Sequence, residues 1–473
     1  MIGGVAAGPA AAAEAKRVDP AAEVVLFERD DHISYGACEI PYYVGATIRE
    51  LETLVVFSPE EFENAKGVKV FTRTEVLELH PGKHRLVLEE STSGRRWEER
   101  FDKFILAVGA SPAIPDVEGI GATNVFPVRD LSHASGLRKA VERVASQGSS
   151  GYASPRIVIV GGGYIGVEMA DVLARIGHRV TILQPGGRLL PDYFDEALSL
   201  RFTRRVAESV SVRDERLTRI VRDPANRVQA VETSIGERIG CGVVVLAAGV
   251  RVNTKLAEAA GLRLGSTGAI RVSTRMRTSS PNVWACGDCI EVMRIPDGKP
   301  IHSPLSPTAY RTARVAARNA ASRGRTTDST FEGVTPASAL KAFDREAATV
   351  GLTLADALES GIDAHSVEIR HLSRAGMLPE ARPIHVTLIF EHRTGRLLGG
   401  QLLGEEGAAL RANVLVPLIR RRAHVSELAD LDLIYTPPLA PSLDPLYIAA
   451  RAAIRRLEGE NGGQSRAGAT GRA

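Results

Sequence analysis

One cysteine stands where a thiol could do chemistry. Cys38 lies in the run Ile33-Ser34-Tyr35-Gly36-Ala37-Cys38-Glu39-Ile40-Pro41-Tyr42-Tyr43-Val44-Gly45, about ten residues past Glu28, the acidic end of a nucleotide-binding βαβ pattern. Residues 34–37 read as a loop, and Pro41 suits the first turn of a helix, which predicts Cys38 near that helix's N-terminus. Unpaired backbone N–H groups there would stabilise a thiolate and lower its pKa. An anionic sulfur beside a redox cofactor can attack disulfides and persulfides. The bland alternative is an inert buried cysteine, packed as a small hydrophobe.

The elements that would position such a cofactor are written twice. Ile157-Val158-Ile159-Val160 is a buried parallel-strand run that meets Gly161-Gly162-Gly163-Tyr164-Ile165-Gly166. A helical pattern follows with Ile165, Met169, Leu173 and Ile176 on one face, and then a second strand over 179–183. This is G-x-G-x-x-G between a strand and a helix, where glycines permit the tight turn and close approach to a pyrophosphate. The start of the chain carries a degraded relative, Gly3-Gly4-Val5-Ala6-Ala7-Gly8, followed by an Ala-rich helix to about Val18 and a strand over 23–28. Val5 stands where a second glycine is usual, and Glu28 stands 20 residues after Gly8, where an acid would bond a ribose hydroxyl. Only two residues precede Gly3, so most of the expected first strand is absent: either this start lies too far downstream or this sheet is compromised.

Three further runs belong to the same scheme. Residues 104–112, with Ala107 and Gly109, and residues 243–250, with Gly249, are strands ending in small residues that return the chain to a dinucleotide crevice. The run Asn282-Val283-Trp284-Ala285-Cys286-Gly287-Asp288-Cys289 sets Asp288 after a strand and a glycine turn, where a carboxylate can accept a flavin ribityl hydroxyl. Cys286 and Cys289 form a C-x-x-C, but no second pair exists and the strand–turn context explains the spacing, so no metal is expected.

Length and composition agree. The 473 residues suffice for about three domains. With 44% hydrophobic and 24% charged residues and a net charge of +3, nothing demands nucleic acid or a membrane surface as partner. Four scattered cysteines make no disulfide framework and fit a cytoplasmic location. The apolar start, residues 1–13, lacks the basic region of a signal peptide, and no run approaches a membrane span. The fold class is α/β, with two Rossmann-like dinucleotide-binding domains. The first (1–115) is interrupted by the second (153–250) and resumes over 251–322. Gln147-Gly148-Ser149-Ser150-Gly151 reads as a flexible junction. A third, α+β domain over 330–455 alternates strands (384–390, 397–403) with a helix (408–421), and a Gly/Arg/Ser-rich tail over 459–473 is expected to be disordered.

With these residues in place, the chain resembles the single-cysteine branch of the flavin disulfide reductase family: coenzyme A disulfide reductases and NAD(P)H-dependent persulfide and polysulfide reductases. The similarity runs to about residue 455. Its specific motifs are Ser34-Tyr35-x-x-Cys38-x-x-Pro41-Tyr42-Tyr43, residues 161–168, Gly287-Asp288, and Ile434-Tyr435-Thr436-Pro437-Pro438 with Asp444-Pro445. The resemblance implies FAD in the first domain and NAD(P)H at Gly161, Gly163 and Gly166 of the second. It further implies Tyr164 as a movable lid over the flavin and Glu168 orienting the nicotinamide. Cys38 would receive the electrons. The third domain would form a homodimer interface and lend Tyr435 to the partner's active site, and Arg17, Ser34, Lys66 and Tyr435 match coenzyme A contacts.

Departures from the pattern bear on substrate. Ala10, Glu14, Ala37, Tyr310 and Leu443 do not match the residues of coenzyme A disulfide reductases, and Met377 and Leu378 replace a tyrosine pair. A smaller or different sulfur substrate, such as polysulfide or a persulfide, follows. Ala6 stands where NADH peroxidases and oxidases of this fold carry histidine, which disfavours an oxidase or peroxidase. A flavin-poor, non-catalytic dimer is the third reading, motivated by the missing first strand. Gln184 stands where NADH-preferring members carry an acid, and Arg188 could pair with a 2′-phosphate, which together point to dual or NADPH use unless Arg188 is a solvated loop residue.

Overall fold

A computed structural model describes residues 1–148, 156–322 and 329–469. The junction at 149–151 and the start of the second domain at 153–155 lie outside the described residues.

Two parallel sheets carry the two glycine loops. In the first, Lys69–Phe71 pairs with Val25–Phe27, and Phe104–Leu106 pairs with Val283–Ala285, all parallel. Ile2 joins these halves. It bridges Phe27 on one side and Leu106 on the other, with Ile2 N donating to Ile105 O (3.0 Å) and Ala107 N donating to Ile2 O (2.8 Å). Ile2 is thus the residue that bridges the centre of this sheet. The second sheet is more regular, in the order Ser211–Arg213, Val180–Leu183, Ile157–Val160, Val243–Leu246, Val125–Pro127. Its three central strands are short runs, mostly Val, Ile and Leu, buried on both faces, as a sheet covered by helices requires, while the two edge strands are half-buried. Each unit also carries a three-stranded antiparallel meander, spanning 74–100 in the first and 217–240 in the second.

The helix Tyr164–Arg175 corrects the periodicity read from sequence. Ile165 and Ile176 are exposed, while Gly166, Val167, Met169, Ala170, Val172 and Leu173 are buried. The helix is covered on a second side by the short helix Ile40–Val44, which widens the buried stripe and rotates it. The two return segments pair with each other: Val250–Val252 runs antiparallel to Ala110–Pro112. Asn253 locks the join, donating from Nδ2 to Val108 O (2.7 Å) and accepting from Ser111 Oγ (2.8 Å).

The third domain is an antiparallel five-stranded sheet in the order Ala337–Ala342, Arg345–Gly351, Leu397–Gly404, Pro383–Glu391, Ala364–Leu372. The helix expected over 408–421 is broken into Ala408–Arg411, a 3₁₀ turn at Ala412–Val414, and Leu415–Arg420. Pro417, which donates no backbone hydrogen bond, lies within that last piece. Of the tail expected from Gly459, the part to Ala469 continues a helix, and residues 470–473 lie outside the described residues. Pro445–Ala469 is one helix, anchored over its first turns by buried Leu446, Ala449, Ala450, Ala453 and Leu457.

Candidate active site

The two glycine loops are built to one plan. Gly3 and Gly161 have φ of +105° and +108°, and a Cβ on either would fall on a carbonyl, that of Ala107 or Ala247. A Cβ on Gly8 or Gly166 would collide with the carbonyl of Gly3 or Gly161, so only glycine lets each helix come this close to its loop. At Gly163 a Cβ would meet nothing within 4 Å, which leaves the open space a pyrophosphate needs. The residue closing each second strand reaches back to its loop. Glu28 Oε2 accepts from Gly4 N, and Gln184 Oε1 accepts from Gly162 N (2.7 Å). Burial is the main cause that raises the Glu28 carboxyl. These cradles, which a side chain would fill, fit two dinucleotides.

Cys38 sits in a single 3₁₀ turn, Ala37–Glu39, that runs into the helix Ile40–Val44. The turn is tied to the first glycine loop, because Ser34 N donates to Gly4 O (2.9 Å); Ser34 takes a left-handed φ of +49°. Of the four cysteines, Cys38 alone is exposed. Cys241 and Cys289 are buried with thiols pushed up to about 12, and Cys289 Sγ donates to Cys286 O (3.2 Å).

The thiol's electrostatics reverse the sequence expectation. Desolvation first, then the carboxylates of Glu39, Glu168 and Asp288, push the Cys38 pKa up, opposed by Arg129. A helix of five residues sums too few peptide dipoles to outweigh three acids. Glu168, partly buried one turn into its helix, is itself raised to about 7 by desolvation and by Asp171. Asp288, in the 3₁₀ turn Gly287–Cys289, is raised by burial against the opposing charges of Arg129 and His302.

Tyr164 opens the second helix beside Gly163. Its ring lies 4.3 Å from that of Tyr193, and its hydroxyl shares a hydrogen bond with Ser338 Oγ (2.7 Å) in the third domain. Gly109 and Gly249 both take positive φ at the strand ends. Arg17 is held by Glu14, with Nε to Oε2 at 2.9 Å and a second guanidinium nitrogen to Oε1 at 2.7 Å, and Arg318 donates to the same buried carboxylate. Burial pushes the Glu14 carboxyl up, but the two guanidiniums outweigh it and leave it below the usual range. Lys66 Nζ lies over the Phe57 ring at 5.2 Å. Tyr435 lies on the third domain, in an exposed segment fastened by Ala375 N donating to Pro437 O (3.1 Å).

Sequence reasoning missed Arg129, which lies against Gly109 and faces both Cys38 and Asp288. Nothing in one sequence marks it, since it follows a three-residue strand with no motif. Ser338 was missed for the same reason.

The comparisons agree with the fold. Residues 1–320 match the model of the pyridine nucleotide-disulphide oxidoreductases, and residues 337–446 match the dimerisation domain of that family. An NAD(P)H coenzyme A polysulfide/persulfide reductase of Pyrococcus horikoshii is 32% identical over 451 residues, 95% of this chain and 97% of that protein. A protein of Methanocaldococcus jannaschii named NADH oxidase is 28% identical over 460 residues, 97% of this chain and 98% of the relative. The solved structure of an NAD-dependent persulfide reductase from A. fulgidus superposes with a TM-score of 0.90 at 31% identity, covering 97% of this chain and 83% of that one. Two nucleotide cradles, one exposed thiol and a dimerisation domain therefore have a family: the chain belongs to the pyridine nucleotide-disulphide oxidoreductases.

Proposed function

We propose that the protein is an FAD-dependent NAD(P)H:disulfide/persulfide oxidoreductase that works through Cys38 as its single redox cysteine. The observation that carries this reading is that Cys38 alone of the four cysteines is exposed, on a turn that closely follows Ser34, whose N–H donates to Gly4 O of the first glycine loop. Gly3, Gly8, Glu28, Ala107, Gly109 and Asp288 would hold FAD. Gly161, Gly163, Gly166, Gln184 and Gly249 would hold the nicotinamide dinucleotide, with Glu168 orienting its ring. Bound FAD would relay two electrons from the nicotinamide to sulfur.

The chain's own residues account for the remainder. Cys38 Sγ, once deprotonated, attacks one sulfur of the acceptor, so that a new S–S bond forms as the old one breaks. The departing thiolate takes a proton and leaves. Two electrons then cleave the mixed disulfide or persulfide on Cys38, releasing the second thiol or sulfide. Because desolvation and, after it, the nearby carboxylates disfavour the free thiolate, the resting cysteine is best stored as that mixed species. Tyr164, released from Ser338, would swing aside to admit the nicotinamide.

The active unit would be a homodimer. Met377, Leu410, Ile434, Tyr435, Leu439 and Leu443 expose apolar surface on the third domain, Met377 at 94% and Ile434 at 85%. A second copy would cover them, bringing the partner subunit's Tyr435 to Cys38 as a proton donor. Arg17, Ser34 and Lys66 would meet a coenzyme A moiety, but Glu14 already occupies Arg17, which favours small persulfide or polysulfide acceptors. The four free cysteines suit a reducing compartment such as the cytoplasm. Among the described residues no helix is long and apolar enough to cross a membrane.

Replacing Cys38 by Ser tests the reading. The variant should remain yellow while losing both the long-wavelength charge-transfer band of the two-electron-reduced protein and disulfide turnover. Unchanged turnover would refute the assignment. Oxygen consumption matching NAD(P)H loss would favour the oxidase reading carried by the M. jannaschii relative's name, against which Ala6 offers no imidazole.

A further inference from the structure

We infer that Asp214 sets the choice of nicotinamide donor, supplying from a neighbouring strand the negative charge that the second glycine loop lacks at Gln184. The inference rests on the function proposed above, in which that loop holds the reductant, and it names the donor as the non-phosphorylated dinucleotide, NADH.

The first nucleotide unit shows what is missing. Glu28 keeps a carboxylate under its loop, bonded to Gly4 N and to Asp30 N (3.0 Å). Gln184 takes the same place with no charge, and both ends of its amide are engaged, Oε1 by Gly162 N and Nε2 by Pro185 O (3.0 Å). Alone it would admit a 2′-phosphate as readily as a 2′-hydroxyl.

Asp214 changes that. The strand Ser211–Arg213 pairs in parallel with Val180–Leu183, Leu183 opposite Arg213, and Gln184 N donates to Arg213 O (3.0 Å). Asp214 is therefore the next residue across the ladder from Gln184. Its Oδ1 accepts from Gly186 N (2.6 Å), and a Cβ on Gly187 would lie 3.2 Å from Asp214 Cβ. The carboxylate thus presses on the turn directly after Gln184, where the 2′ position of a ribose bound in this type of crevice points.

The nearby cations do not cancel it. The Arg188 guanidinium turns into its own loop, towards Phe194 O (3.4 Å), and Arg213 is paired with Glu237 (3.5 Å). A phosphate bearing up to two charges would meet a fixed anion with neither guanidinium turned towards it.

The test is the ratio of kcat/KM for NADH to that for NADPH, with a common disulfide acceptor, in wild type and in Asp214→Asn. The asparagine keeps an acceptor for Gly186 N, so the turn is retained; flavin content and melting temperature check this. Wild type should prefer NADH, and D214N should lower the ratio roughly tenfold, through KM for NADPH and less so at high salt. A wild type that prefers NADPH, or a D214N ratio within about twofold of wild type at low salt, overturns the inference while leaving the enzyme's function standing. If a folded, flavin-loaded wild type is reduced by neither donor, the second-loop assignment falls instead, and the proposed function with it.

Discussion

Glu168→Gln is expected to stabilise the protein while disabling it. The Glu168 carboxyl titrates at about 7 instead of 4.5, chiefly because folding desolvates it and secondly because Asp171 lies nearby. The folded-state value is the higher one, so the native state holds this proton over a range where the unfolded chain has lost it. Stability therefore falls as pH rises from about 4.5 to about 7 and is flat beyond. The gap corresponds to about 3 kcal/mol, taken as an upper figure. Glutamine fills the same space with no charge to desolvate. Thermal or urea denaturation of wild type and E168Q should diverge at pH 8, with the variant more stable by up to about 3 kcal/mol, and should nearly coincide at pH 5. Hydride transfer from NAD(P)H, followed by flavin bleaching in stopped flow, should slow in the same variant. A difference in stability that does not depend on pH, or no gain at pH 8, would refute the assignment of desolvation to this carboxyl.

Three other outcomes follow from contacts described above or close to them. Gly166→Ala would drive a methyl into the Gly161 carbonyl, so NAD(P)H should no longer reduce a flavin that remains bound, as titration at 450 nm would show. Arg411→Ala would strip Asp444 of its buried partner (2.8 Å) and leave Ser373 O and Leu439 O without their donor; a loss of about 3–5 kcal/mol is expected, with weakened dimerisation on a sizing column. Glu14→Gln would free Arg17 and Arg318 from their shared carboxylate, so KM for coenzyme A disulfide should fall while KM for a small uncharged disulfide stays put.

What could be read from the sequence was whatever depends on local backbone geometry. The glycines at 3, 8, 161 and 166 are visible because no other residue fits where a helix meets its own loop. Glu28 and Gln184 are visible because their spacing from those glycines is fixed by one strand and one helix. The sign of the Cys38 shift was not visible. It depends first on desolvation and, beyond the adjacent Glu39, on Glu168 and Asp288, all of which but Glu39 are set by the tertiary fold. Ile165 and Ile176 misled for a related reason: a helix packed on two sides buries small residues such as Gly166 and Ala170 that a hydrophobicity pattern passes over. Ser338 and Asp214 act across a domain boundary and a strand ladder, and a single sequence carries no mark of either.

The ladder between Val250–Val252 and Ala110–Pro112 has a consequence for how such a protein can change over evolutionary time. It fastens the exits of both nucleotide units backbone to backbone, so the gap an electron pair must cross is fixed by main-chain geometry that tolerates varied side chains. Residues outside that ladder, such as Ala10, Glu14 and Ala37, are then free to diverge without retuning the wire. A lineage could exchange one sulfur compound for another by side-chain substitutions that leave this ladder untouched.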